Sequence, residues 1–147
     1  MYCDLDEIKS IIPQMDLINL TNDTTPADSV NINIMEDCAE FADELINSYI
    51  RKRYQLPLKN VPKILSKIAA DITAYRLYSR RSNKIPEQIQ RNCEYAIDNL
   101  KLLKDGQIVL DVSGNSNAGI LSLNSTYLSN KTGQDRIFND NVMRTFL

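Results

Sequence analysis

Apolar residues recur at three- and four-residue steps through most of the first hundred positions, so the chain reads as a series of amphipathic helices. Leu5, Ile8, Ile11 and Ile12 form the first stripe. Asp4 and Glu7 have capping-box spacing, with Asp in place of Ser or Thr, so a helix is expected to start at Asp4 and to stop at Pro13. A short helical turn is expected over 15–20 (MDLINL). Residues 21–29 (TNDTTPADS) read as a solvated loop, because Thr, Asn and Asp side chains compete with helix and Pro26 fixes the backbone.

The next helix is predicted over 30–53, with Ile34, Cys38, Phe41, Ala42, Leu45 and Tyr49 facing the core. Glu36, Asp37, Glu40, Asp43 and Glu44 cover its other side, and it ends in Arg51-Lys52-Arg53. Acids early and bases late suit the helix macrodipole. Residues 54–58 (YQLPL) are an extended connector, since the residue before a proline avoids helical backbone. Pro62 is expected as the first residue of a helix running to about 80, with Val61, Ile64, Leu65, Ile68, Ile72 and Tyr75 on its core face and Lys63 and Lys67 on another. Pro86 opens a last helix lined by Ile89, Cys93, Ala96, Ile97, Leu100 and Leu103, and Asp105-Gly106 closes it.

The pattern then changes. All four glycines lie at or beyond position 106. Residues 107–112 (QIVLDV) read as a short strand, 113–119 (SGNSNAG) as linker, and 120–128 as a weakly alternating extended segment. Ile137, Phe138, Val142, Met143, Phe146 and Leu147 restore an apolar set at the end. No internal repeat is visible. The expected fold is mainly α: a compact four-helix domain over 1–106, then a short strand and an extended docking arm over 107–147. Ile137, Phe138, Met143 and Phe146 are the arm's candidate contacts, because exposed apolar groups mark contacts.

At 147 residues the chain fits one domain with a core that needs neither disulfides nor metal. It contains no histidine, which excludes His-based triads and HExxH zinc sites. Cys3, Cys38 and Cys93 are far apart and odd in number, so they read as reduced, partly buried thiols made in a reducing cytoplasm. No apolar run approaches the ~20 residues of a membrane span. The acidic start Asp4-Leu5-Asp6 is unlike a secretory signal. There is no glycine-rich phosphate loop, no GxSxG and no metal-ligand cluster. No catalytic residue, metal or cofactor is therefore assigned, and the chain is not read as an enzyme.

Charge changes the picture more. Residues 1–50 hold eleven acids and one base, 51–104 thirteen bases and four acids, and 105–147 three bases and four acids. The acidic part meets the basic part, within the chain or across a subunit contact, or else the basic part faces nucleic acid. Arg51, Arg53, Lys59, Lys63 and Lys67 are the candidate residues for subunit or DNA contact.

The opening MYCDLDEIKSIIPQMDLINLTND and the block AEFADELINSYIRKRYQLPLKNVPKILSKIAADITAYRLYSRR resemble the Mu-type phage head–tail connector family. Tyr49, Tyr54, Pro57, Pro62, Asp71 and Tyr75 belong to the most specific part of that resemblance. PEQIQRNCEYAIDNLKLLKDGQIVL continues it, and RIFNDNVMRTFL is similar to the family's C-terminus. The resemblance implies a ring, commonly twelve-fold, seated in the virion neck. One side would dock on the portal, the other on a tail-completion or next adaptor protein, with possible non-specific contact to passing DNA and none to a membrane. The ring would close if the acidic helix of one subunit faced the basic helices of the next. The competing reading is a DNA-binding packaging factor, which would bind DNA salt-sensitively. No basic helix-turn-helix is evident to favour it.

Overall fold

In the computed structural model, described for residues 1–24, 26–81 and 84–111, five helices surround one core. They are α1 (Leu5–Lys9), α2 (Gln14–Thr21), α3 (Ile32–Ile50), α4 (Lys63–Arg80) and α5 (Glu87–Asp105). The four-helix expectation is corrected to five, because the expected turn over 15–20 is a full helix.

The capping box forms as its spacing requires: the Asp4 carboxylate accepts from Glu7 N at 2.9 Å, and Glu7 accepts from Asp4 N at 3.0 Å. α1 nevertheless ends at Lys9, before Pro13, and a turn carries the chain to Ile12. Pro13 instead caps α2, its carbonyl accepting from Leu17 N at 2.9 Å. The expected loop loses its first residue, since Thr21 is the last of α2 and fully buried. Its hydroxyl donates to Leu17 O at 2.8 Å and accepts from Asn31 N at 3.1 Å. That hydroxyl thus satisfies the amide of Asn31, the N-cap of α3, which the side chain three residues on would serve in a capping box.

α3 is shorter than 30–53, and Arg51-Lys52-Arg53 lie beyond its end. Its first turn holds no acid and its last no base, so the macrodipole argument fails here. The buried face is Met35, Cys38, Ala39, Ala42, Ile46 and Ile50, rotated about one position from the expected stripe. Phe41, expected inside, is 42% exposed, and the Arg76 guanidinium lies 4.5 Å from its ring centroid.

α4 packs against each of the other four helices. Residues 68–74 (IAADITA) are buried on every side, because small side chains let neighbours close in all around. Ile64, expected in the core, is 41% exposed, and Val61 and Tyr75 are half-buried. Pro62 and Pro86 are the N-caps rather than the first helical residues of α4 and α5. α5 buries Ile89, Cys93, Ala96, Leu100 and Leu103. It ends in a Schellman turn: Gly106 takes φ 78°, and Gln107 N donates to Leu102 O at 2.9 Å.

Residues 107–111 form no strand. They keep the alternating exposure of an extended segment: Ile108 packs on the core, Leu110 is buried, and Val109 is 57% exposed. Val112 and the candidate arm residues Ile137, Phe138, Met143 and Phe146 lie outside the described residues. Cys3, Cys38 and Cys93 are all buried and free.

Candidate functional site

The corner where the chain leaves α3 gathers the most specific part of the sequence pattern. Tyr54 is 1% exposed, and its hydroxyl accepts from Leu110 N at 2.8 Å. The ring therefore fills the core while its polar end serves the backbone of the segment after α5. Arg53 lays its guanidinium against Gly106. It thereby places a cation at the negative end of α5. The Leu56–Pro57 bond is cis, Pro57 is exposed, and Pro62 starts α4. Tyr49, half-buried, lies in the last turns of α3. Asp71 and Tyr75 stand away from this corner, roughly 13–20 Å along α4 from Pro62 by helical rise. The six motif positions are thus distributed through the fold and do not form one site.

Several charges elsewhere are used within the chain. Arg80 donates to Asp23 at 3.0 Å and to Leu20 O at 2.7 Å, and Arg81 stands 3.9 Å from the same carboxylate. The hydrogen bond from Arg80 holds the Asp23 carboxyl below its ordinary range. The loop read as merely solvated is therefore tied to the end of α4. Asp43 accepts from Tyr2 N at 3.0 Å, and the Tyr2 hydroxyl donates to Asn47. Arg91 pairs with Glu87, and Lys101 with Asp98 at 2.8 Å.

The five candidate bases separate into two groups. Lys67 reaches Asp71 at 2.7 Å, where it neutralises a carboxylate only 7% exposed. Arg53 is held against Gly106. Arg51, Lys59 and Lys63 are exposed and, among the described residues, make no ion pair; nor does their neighbour Lys52. The same holds for four acids of α3. Glu36, Asp37, Glu40 and Glu44 are all exposed and unpaired among the described residues. Spacing of four places Glu36, Glu40 and Glu44 in one outward row.

The long-range ties through Asp23, Tyr54 and Tyr2 were missed in the sequence. Only the opposite charge of the two halves hinted at the Asp23–Arg80 pair. Among the described residues no group of three His, Cys, Asp or Glu side chains is placed to hold a metal, and no helix is long and apolar enough to cross a membrane.

Comparison with known proteins adds what the geometry alone does not carry. The chain matches the family described as Bacteriophage Mu, Gp36, over residues 2–119. It is also similar to the Mu-like prophage FluMu protein gp36 of Haemophilus influenzae, with 32% identity over 87 residues. That alignment covers 59% of this chain and 60% of the relative, so it spans less than two thirds of the relative's length.

Proposed function

The chain belongs to the bacteriophage Mu Gp36 family, and from that premise we propose that it is a structural head–tail connector subunit of a tailed phage. In this reading it forms a ring in the virion neck, under the portal, and joins the DNA-filled capsid to the tail. Its partners are further copies of itself, the portal, and a tail-completion or next adaptor protein. The observation that carries the reading is the family match along residues 2–119. A second feature supports it. Among the charges left unpaired, four acids lie on α3 and four bases on or beside the α3–α4 connector, an arrangement suited to protein–protein contact. The described helices also pack around α4 over one core.

The second reading is a DNA-binding packaging factor, favoured only by the exposed bases Arg51, Lys52, Lys59 and Lys63. Electron microscopy of particles from a phage lacking this gene separates the two. DNA-filled or leaking heads beside separate, complete tails are expected for a connector. Empty, unpackaged proheads would assign the packaging role. Intact infectious virions would overturn both.

A further inference from the structure

We infer that the outward acidic row of α3 in one copy docks on the basic α3–α4 connector of the next copy. The inference deepens the connector reading, on which it rests, by naming the two faces that meet.

Three observations carry it. The first is what remains after internal pairing. Asp23, Asp43, Asp71, Glu87 and Asp98 each have a cationic partner within the chain. Glu36, Asp37, Glu40 and Glu44 have none among the described residues, and neither do Arg51, Lys52, Lys59 and Lys63. Other charges, among them Asp16, Asp28, Glu94, Arg76, Lys84 and Lys104, also make no ion pair among the described residues, but they are scattered along the chain, whereas each of these two sets of four is gathered in one stretch.

The second is a local conflict. Glu36, Glu40 and Glu44 are successive i,i+4 like-charge pairs, which oppose helix formation. No base on α3 relieves them, since none falls between Ile32 and Ile50. A row that weakens its own helix without local compensation marks a surface whose partner lies elsewhere. The Lys63–Lys67 pair shows the contrast, because Asp71 compensates Lys67 within the same helix.

The third concerns which partner fits. Residues 112–147 carry Asp135 and Asp140 against Lys131, Arg136 and Arg144, so that segment is a poor counterpart for four bases. A duplex laid across the connector would also meet the α3 acids. Glu44 is seven residues from Arg51, about 10 Å along the helix, close to the screening length at physiological salt. A second copy sets only four acids against these bases, where a duplex brings a continuous run of phosphates, so the repulsion from the α3 acids is smaller. Because the two faces are different, the contact is head-to-tail, the kind that closes into a ring.

The test is zero-length carbodiimide cross-linking of the full chain, using an equal mixture of unlabelled and nitrogen-15-labelled protein. Mixed-isotope links should join Glu40 or Glu44 to Lys59 or Lys63. Their yield should fall about tenfold between roughly 50 and 500 mM salt, as screening shortens. Glu40→Lys/Glu44→Lys and Lys59→Glu/Lys63→Glu should each lose self-linking while keeping native helicity. Mixing the two variants should restore cross-linked dimer, since each then offers the other an opposite face. No cross-copy links in the native protein, or no restoration on mixing, would overturn the inference. Links within one copy to Asp135 or Asp140 would assign the bases to the chain's own C-terminal segment. Duplex binding without cross-copy links would assign them to nucleic acid. Either result overturns the docking inference and leaves the particle phenotype, which reads where the protein acts, to decide the connector role separately.

Discussion

Arg53 lays its guanidinium on Gly106, at the point where the left-handed turn closing α5 leaves no Cβ in the way. Arg53 Nε is buried there without a hydrogen-bond partner, so packing and the helix-end field hold the side chain. A residue just beyond α3 and the residue that closes α5 thereby fix one corner of the molecule. That corner sits beside the exposed connector bases, so its rigidity sets how those bases are presented. It also brings the C-terminal ends of α3 and α5 together, while Asp23 ties the opposite end of α4 to the end of α2.

Gly106→Ala should destabilise the protein by about 1–2 kcal/mol for the left-handed backbone alone, and more because the new Cβ displaces Arg53. Arg53→Ala alone should cost up to about 1 kcal/mol for the lost cation at the helix end. In the double variant no guanidinium remains to be displaced. Its cost in urea unfolding should fall short of the sum of the singles by at least about 0.5 kcal/mol. Strict additivity would show that the two residues are uncoupled.

Tyr54→Phe keeps the buried ring and removes the acceptor for Leu110 N–H. A buried donor left unpaired costs about 1–3 kcal/mol. The loss should be concentrated in the segment after α5. Hydrogen exchange at Leu110 should accelerate well beyond that at Leu100 or Leu103, which sit in the last turns of α5. Equal acceleration at all three would mean that the tyrosine supports the whole bundle evenly.

The three buried thiols give a pH dependence. Burial pushes Cys3 up to about 11, and pushes Cys38 and Cys93 upward as well. A thiol whose folded value lies above the ordinary 9.0 favours the fold fully below pH 9. That contribution is lost as pH climbs through about 11. Native protein at pH 8 should therefore resist iodoacetamide at all three sites and react fully in urea. From pH 9 to 11 the stability of wild type should fall more steeply than that of Cys3→Ser. Parallel falls would show that Cys3 ionisation does not contribute.

Helix periods were legible in the sequence because α3 and α5 keep a polar outer side along their length, and α4 keeps one at its two ends. The core face of α3 was read about one position off, because size is a poor guide to burial. Ala39 is small and fully buried, while Phe41 is large and held outside beneath Arg76. The burial of α4 on all sides was hidden for the same reason, since Ala and Thr add little to an apolar pattern. The strand over 107–112 had the right alternation for its described part but no ladder. Leu110 N–H is satisfied by a side chain 56 residues earlier. The Asp23–Arg80 pair spans 57 residues, beyond any local spacing rule. Of the candidate bases, Lys67 has Asp71 four residues on where Lys63 has only Lys67, a spacing that separates the two in sequence, but only the fold shows that Asp71 is buried.

That separation gives the last prediction. Both lysines are exposed in the first turns of α4, four residues apart, and only Lys67 has an acid four residues on. Lys63→Glu removes a charge that has no partner among the described residues. Its effect on stability should stay within about 0.5 kcal/mol, as for ordinary surface substitutions. Lys67→Glu removes the partner of a carboxylate that is 7% exposed and puts a second carboxylate beside it. Breaking a buried pair by removing one member costs about 3–5 kcal/mol. The Lys67 side chain is 59% exposed, so solvent screening lowers the expected loss to about 1–2 kcal/mol. Adding Asp71→Asn to Lys67→Glu should recover part of it, because the amide no longer repels the new acid. Chemical denaturation of the three variants measures this directly. Equal effects of Lys63→Glu and Lys67→Glu would mean that the Lys67–Asp71 pair contributes nothing. A loss confined to Lys67→Glu identifies Lys63 as the clean probe of subunit contact.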